Sequence, residues 1–436
     1  MKKNLFLFTL EFSFLLFLSA SPTFAADFSV LDSFINFKNP AAVQHTPVTQ
    51  NISYKPDLIN ATKDNGQVIL GDERIFTSEF SYLIDGKNVG AVVNQTSVNS
   101  LGENLKVTLN NYKKANLVAL YAPEHGIDGT IKAGAYISST KDTATGKTVY
   151  SLYQATREPS YDMMKNIDVM LFDLQDIGSR TYTYTSTMNK CMIACKKYGV
   201  KMVVLDRPNP VSCKYTQGFI NTDEALSFVG IDNTPMAHGL TAGELAQFFN
   251  RKIGCDLAVV PMKNYTRDMI WQDTGLTFMQ TSPNIPTIEA AFGYMATGMS
   301  DGTGLGMADY FSWSGMSGLN SKAFAEQMNL YNLPGVRFIP ENKGTRGGVR
   351  LNVTDYHTFN PARTGYYLMA TANKLKALRF QVYTAKGKPT MFYKISGDKA
   401  LANALLQFKS PMEIESMYRQ ACENFKAETQ RYHLYN

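Results

Sequence analysis

The sequence predicts an α/β protein with a parallel sheet in its larger N-terminal part, and three observations predict it. Leu117–Gly126 (LVALYAPEHG) is an apolar run ending in Pro123-Glu124-His125. Ile167–Leu174 (IDVMLFDL) runs into Gln175-Asp176-Ile177-Gly178-Ser179-Arg180. Val200–Leu205 (VKMVVL) runs into Asp206-Arg207-Pro208-Asn209-Pro210. Each reads as a buried strand that delivers charged and amide side chains to its carboxyl end, the end at which open parallel sheets bind ligands. Three such strands point to an enzyme.

The remaining elements follow in order. Lys2 and Lys3, the mostly apolar Leu5–Leu18 and the small-residue site Thr23-Phe24-Ala25 form a secretory signal cut after Ala25, although Glu11 interrupts the apolar run. A secreted or periplasmic protein is therefore expected. Residues 26–80 are polar and are expected to form an irregular segment wrapping the main domain, which spans residues 81–290. Within it Lys87–Val93 is a first strand, ending in Asn94-Gln95-Thr96, and Leu105–Tyr112 is a helix. Thr130–Ser151, rich in Gly, Thr, Ser and Lys, reads as a long functional loop. Tyr161–Lys165 and Met188–Tyr198 are helices between strands, an alternation that implies right-handed βαβ units. Thr241-Ala242-Gly243-Glu244 is a capping box opening a helix over Gly243–Phe249, and Leu257–Met262 is a further strand. Beyond the Pro-bounded break Ser282–Thr287, residues 291–436 mix the strand Gly348–Val353 with helices over Thr364–Lys374, Asp398–Phe408 and Met412–Glu428.

Composition excludes several classes. With 436 residues the chain is long enough for two domains. The net charge of +6 is mild and no basic block is concentrated, which argues against nucleic acid. After the leader no stretch is apolar enough to span a bilayer, so no stable membrane insertion is expected. The five cysteines are too few for a disulfide scaffold, and their odd number leaves at least one thiol unpaired. Cys191 and Cys195 share a helix face without further ligands nearby, and read as buried small residues. No metal or organic cofactor is expected. Oligomeric state is not legible.

The candidate chemistry lies at the strand ends. Glu124, beside a Pro and a Gly, can be held partly desolvated, which would raise its pKa towards that of a general acid. His125 stands beside it. Asp173 and Gln175 share a face of an extended strand, and one of Asp173 and Asp176 is a structural cap. Arg180 is either a fork for a substrate carboxylate or a salt bridge to Asp176 or Asp206. Tyr182 and Tyr184, alternating with threonines, offer aromatic faces suited to sugar rings. Two prolines fix the Asp206-Arg207-Pro208-Asn209-Pro210 loop. His238 precedes the capped helix and reads as a substrate contact.

Two rival motifs are weaker. Gly298-Met299-Ser300-Asp301-Gly302 matches the G-x-S-x-G pattern of a nucleophile elbow, with His357 and Asp355 downstream, but lacks a good central strand before it. The first strand ends in Asn94-Gln95-Thr96 rather than a G-x-G-x-x-G turn, so a Rossmann-like sheet here need not bind a dinucleotide.

Taken in order, Asn94-Gln95-Thr96, Pro123-Glu124-His125-Gly126, Phe172–Tyr184, Asp206–Pro210, His238–Glu244, Ser282–Thr287, Gly347-Gly348-Val349, Val353-Thr354-Asp355 and Arg363-Thr364-Gly365 resemble the exo-β-N-acetylmuramidase (NamZ-type) glycoside hydrolases. The resemblance implies a Rossmann-like N-terminal domain, a smaller α+β C-terminal domain and a cleft between them. It also implies release of terminal N-acetylmuramic acid from the non-reducing end of peptidoglycan fragments, without a cofactor. Glu124 would be the proton donor. Asp176 or Asp173, or the substrate's own acetamido group, would stabilise the oxocarbenium-like centre. Arg180 or Arg207 would hold the lactyl carboxylate, with Asn94, Gln95, His125, Gln175, Tyr182, Tyr184, Asp206, Asn209, His238 and Asp301 as further contacts.

The chain departs from the family pattern at Asp301–Tyr310. Asp301 keeps the first acid of the usual run, whereas Met307 replaces the second acid and Asp309 the arginine. The alternatives are a catalytically altered binder of muropeptides and, more remotely, a serine esterase using Ser300.

Overall fold

The computed structural model describes residues 66–132, 134–135, 139–153 and 156–436. The expected leader, and most of the segment assigned to residues 26–80, lie outside the described residues.

Seven strands form the larger sheet: β1 (Asn88–Val93), β2 (Asn116–Ala122), β3 (Thr140–Lys141), β4 (Thr148–Ser151), β5 (Val169–Asp173), β6 (Lys201–Leu205) and β7 (Leu257–Val260). Their order across the sheet is β3-β4-β2-β1-β5-β6-β7, parallel throughout except for the edge pair β3–β4. Without β3, the parallel strands stand in the chain order third, second, first, fourth, fifth, sixth. This is the Rossmann order, and its switch point lies between β1 and β5. The hydrophobic effect places it: β1 and β5 are buried over nearly their whole length. Val89, Ala91 and Val93, spaced by two on one face of β1, share a core with Leu105 and Leu109, which are spaced by four on a helix.

One expectation fails here in an informative way. Thr130–Ser151 is not a continuous loop, because β4 lies within it and pairs with β2 from Ala119↔Thr148 to Ala122↔Ser151. Its four residues, TVYS, alternate between partly and fully buried and carry no apolar run, so only their pairing with β2 reveals the strand.

The helices are α1 (Leu105–Asn111), α2 (Thr183–Tyr198), α3 (Ala242–Ile253), α4 (Ile288–Thr297), α5 (Ser321–Leu330), α6 (Pro361–Leu375), α7 (Met391–Ser396), α8 (Lys399–Leu406) and α9 (Pro411–Thr429), with single helical turns at Gly71–Arg74 and Tyr161–Met164. Helix α3 has the expected capping box, Thr241 accepting from the Glu244 amide and Glu244 from the Thr241 amide. Helix α2 starts five residues before the expected Met188. The Thr-Tyr alternation favours a strand locally, but burial of Thr183–Met188 against the domain decides for a helix.

The second sheet is antiparallel, in the order β10-β11-β9-β8, from β8 (Gly306–Ala308), β9 (Trp313–Ser317), β10 (Val336–Lys343) and β11 (Arg346–Val353). Thus an α/β part precedes a smaller α+β part. Phe219 packs edge-on to Tyr366 of α6 and Tyr418 of α9, at 5.8 and 5.2 Å. Near the C-terminus, Tyr435 returns to the large sheet, donating a 2.6 Å hydrogen bond to Asp206 at the end of β6.

Candidate active site

The carboxyl ends of β1, β2 and β5 meet at the switch point, and each sends a polar side chain inward. After β1, Asn94 is fully buried. Its Oδ1 accepts from the amide and hydroxyl of Thr96, and its Nδ2 donates to the Tyr184 hydroxyl. That hydroxyl donates in turn to the Thr281 carbonyl. Gln95 donates to the carbonyls of Gln280 and Thr281.

After β2, Glu124 is 7% exposed. Thr183, the first residue of α2, donates its hydroxyl to Oε2 at 2.6 Å, and the Gly134 amide donates to Oε1 at 3.1 Å. The Tyr153 hydroxyl also bonds to Glu124, and burial followed by that negative charge pushes the Tyr153 phenol up. His125 takes a left-handed backbone (φ 72°), which turns the chain away from the strand. Its Nδ1 donates to the Ile131 carbonyl at 2.7 Å, so in the neutral ring Nε2 is the acceptor.

After β5, Gln175 donates to the Asp176 and Pro208 carbonyls, while its Oε1 has no partner. Asp176 accepts from the Gly178 amide through Oδ2, and that oxygen lies 3.3 Å from His238 Nε2. The other oxygen, Oδ1, is buried without a partner. The Leu240 amide donates to His238 Nδ1, which puts the proton of a neutral ring on Nε2, towards Asp176. Gly178 (φ +78°) is required here, since a Cβ would meet Asn209 Oδ1 at 2.4 Å.

Sequence reasoning missed Tyr294. It lies on α4, in an apolar run that gave no sign of a polar site. Its hydroxyl is 3.0 Å from the Thr181 hydroxyl, and its ring meets Tyr182 and Phe311 edge-on. Burial pushes the phenol up, and the negative charges of Glu124, Asp301 and Asp176 add to this. Asp301 is raised by burial as well, with only the Gly302 amide working against it. Thr183 also went unrecognised as a partner of Glu124, because its helix was expected to begin later.

Several expected contacts have other occupations. Arg207 is bonded by Nε and Nη2 to both oxygens of Asp173, by Nη2 to Asp72 at 2.8 Å, and to the Val98 carbonyl. Burial disfavours the cation, but Asp173 and Asp72 outweigh it and raise the Arg207 pKa. Asp173 and Arg207 thus brace the ends of β5 and β6, and neither is free to meet a sugar. Asp72 comes from the segment before the sheet, so this triad was invisible to local reading. Arg180 neither forks a carboxylate nor pairs with Asp176 or Asp206. It donates to the carbonyls of Phe219, Thr234 and Ile395, joining the large domain to α7, and burial lowers its pKa to about 10. Asp206 accepts from the Arg207 and Gly243 amides and from the Thr241 and Tyr435 hydroxyls. Burial nevertheless pushes it up to about 6. Asn209 bridges its loop to the Leu240 carbonyl. Tyr182 and Tyr184 are buried, packed edge-on at 4.8 Å, and do not offer open faces. Ser300 is buried in a 3₁₀ turn after α4, not between a strand and a helix, and its hydroxyl is held by the Thr297 and Leu305 carbonyls. This is not a nucleophile elbow. In the divergent segment, Asp309 pairs with Lys343 and Arg350.

All five cysteines are free and buried. Among the described residues no cluster of three or more His, Cys, Asp or Glu could hold a metal, and no helix is long and apolar enough to cross a membrane.

A Rossmann-ordered sheet whose switch-point strands end in the buried polar side chains Asn94, Glu124, Asp173 and Asp176 has the layout of an enzyme. Comparison with known proteins gives the family. The model described as exo-beta-N-acetylmuramidase NamZ, N-terminal, matches residues 89–289, and its C-terminal counterpart matches residues 292–435. The chain belongs to the exo-β-N-acetylmuramidase (NamZ) family. It is 36% identical over 399 residues to the peptidoglycan beta-N-acetylmuramidase NamZ of Bacillus subtilis (strain 168), covering 88% of this chain and 95% of that protein. Two crystal structures of DUF1343 family proteins from Bacteroides fragilis share the fold. One has a TM-score of 0.75 at 30% identity and the other 0.63 at 26%, each covering 85% of this chain and 99% of its own.

Proposed function

We propose that this chain is an exo-acting glycoside hydrolase that releases N-acetylmuramic acid from the non-reducing end of peptidoglycan fragments. The observation that carries the reading is Glu124, a buried carboxylate fixed at the switch point by Thr183 and Gly134. Glu124 gives its proton to the glycosidic oxygen as the bond to the anomeric carbon breaks, and water adds its oxygen to that carbon and loses a proton, giving free N-acetylmuramic acid. Asp176, with one oxygen unpartnered, faces the oxocarbenium-like centre, and the Gly178 amide holds its other oxygen. Tyr294 on α4 meets the Thr181 hydroxyl at 3.0 Å and packs on Tyr182, joining α4 to the segment that leads into Thr183. Asp173, Arg207, Asp206, Asn209 and Arg180 serve as supports for the strand ends. The lysines, apolar run and small-residue site of residues 1–25 fit export to the compartment where peptidoglycan lies.

Incubation of the protein with a disaccharide bearing non-reducing N-acetylmuramic acid tests the proposal. Free N-acetylmuramic acid is the expected product. An intact disaccharide after prolonged incubation, or cleavage only within longer chains, would refute it.

A further inference from the structure

Three helix ends meet at one corner of the C-terminal part. The Asn373 side chain, in the last turn of α6, donates to the Leu405 carbonyl, in the last turn of α8, at 2.7 Å. Helix α9 then begins at Pro411, capped by Ser410. Around this junction stand Leu375, Leu406, Phe408 and Met412, which are between 40% and 68% exposed. Single exposed apolar residues are ordinary on any surface, but four at the ends of converging helices make a patch of the kind that marks an interaction site.

The backbone at Phe408 adds an independent sign. Helix α8 ends in a Schellman motif, with the Lys409 amide bonded to the Ala404 carbonyl and the Phe408 amide to the Leu405 carbonyl. The motif puts the residue after the cap in the left-handed region, where glycine is favoured because a Cβ is crowded there. Phe408 holds that place at φ 51°. Burial does not offset the strain, since half of the residue is exposed. A ring held outward at a strained position has its use outside the chain.

The charges around the patch select the partner. Lys374 and Lys376 are exposed and Lys409 is half-buried. Lys409 and Lys374 both act on the Glu413 carboxylate, which is already bonded to the Ser410 amide and hydroxyl at 2.7 and 2.6 Å. Three ammonium groups against one capped carboxylate leave the rim positive. Pairing two copies through this corner would set lysine against lysine. On an anionic bilayer the lysines instead meet headgroup phosphates, while the leucines, Phe408 and Met412 enter the acyl boundary. We propose that this corner is a docking surface for an anionic phospholipid bilayer, on which the protein rests peripherally without spanning it. The proposal does not depend on the glycosidase reading.

Vesicle binding tests the proposal. The mature chain, cut after Ala25, is mixed with vesicles of phosphatidylglycerol or of phosphatidylcholine, and partitioning is read by flotation. Wild type is expected to favour phosphatidylglycerol by about tenfold or more, and less so as salt is raised. The double variants Leu406→Ser/Phe408→Ser and Lys374→Glu/Lys409→Glu are each expected to lower that partitioning by about tenfold. Phe408→Gly alone is expected to lower it severalfold while keeping or raising the melting temperature, because glycine relieves the left-handed strain. No binding of wild type to phosphatidylglycerol, or equal binding by wild type and the variants, overturns the proposal. So does a clear fall in melting temperature in Phe408→Gly, which would make the ring a structural part of the helix end. Light scattering of the protein alone covers the other occupant. A concentration-dependent dimer that dissociates in Leu406→Ser/Phe408→Ser, with no vesicle binding, would assign the corner to a second copy and overturn the proposal.

Discussion

The Thr183 hydroxyl donates to Glu124 across 2.6 Å, linking the first turn of α2 to the turn after β2. The two residues lie on opposite sides of the switch point, so this bond sets the carboxylate by the packing of a whole helix. Thr183→Val keeps the shape but removes the donor. It is expected to lower kcat up to about 100-fold through misplacement of the carboxylate and stability by about 1–3 kcal/mol through the unpaired oxygen. Thr183→Ser restores both. Steady-state kinetics and denaturant unfolding read the two effects separately, and unchanged kcat in Thr183→Val would show that Glu124 is not positioned this way.

Tyr294→Phe tests the link between the domains. The ring contacts with Tyr182 and Phe311 survive, so the melting temperature stays close to wild type. Losing the hydroxyl that meets Thr181 at 3.0 Å, two residues before the Glu124 donor Thr183, is expected to lower kcat up to about 100-fold by displacing that donor. A variant with wild-type turnover would assign Tyr294 to packing only.

Arg207→Met separates support from chemistry. It strips the cation from Asp173 and Asp72, leaving buried carboxylates uncompensated, and is expected to cost about 3–5 kcal/mol of unfolding free energy. Urea titration checks this. A substrate-binding role without structural weight would instead raise KM and leave stability alone.

Asp206 makes stability depend on pH. Burial pushes its pKa up to about 6 from the ordinary 3.8 of an aspartate, so the native state binds this proton more tightly than the unfolded chain. The stabilisation is complete below about pH 3.8 and is lost as pH rises through about 6. Against Asp206→Asn, wild type should lose about 3 kcal/mol of relative stability between about pH 4 and pH 7. A difference that is flat over that range, or grows with pH, contradicts the assignment.

The strands that build the switch point were legible because burial on both faces makes them continuous apolar runs, and their charged ends were legible because nothing in a core strand requires an acid. What those side chains touch was not. Asp173 and Arg207 looked like site residues until Asp72, from a distant polar segment, closed the triad. Arg180 was read as needing a carboxylate, whereas its Nη atoms donate to three backbone carbonyls, one from α7, and its Nε has no partner. Tyr182 and Tyr184 looked like open aromatic faces because their alternation with threonine imitates a strand, yet helix packing buries them. Tyr294 left no local trace, since a tyrosine in an apolar helix is ordinarily core. The third strand of the Rossmann order, β4, is too short and too polar to be seen without its neighbour β2. In each case the missing information was a partner far away in the chain.

The central claim is that Glu124 supplies the proton for release of the terminal sugar, and Glu124→Gln tests it most directly. Free N-acetylmuramic acid from the disaccharide is quantified for wild type and variant, with circular dichroism and melting as controls. The account predicts a folded variant whose turnover falls by about 10²–10⁴-fold. A folded Glu124→Gln protein that releases the sugar at near wild-type rate would contradict it.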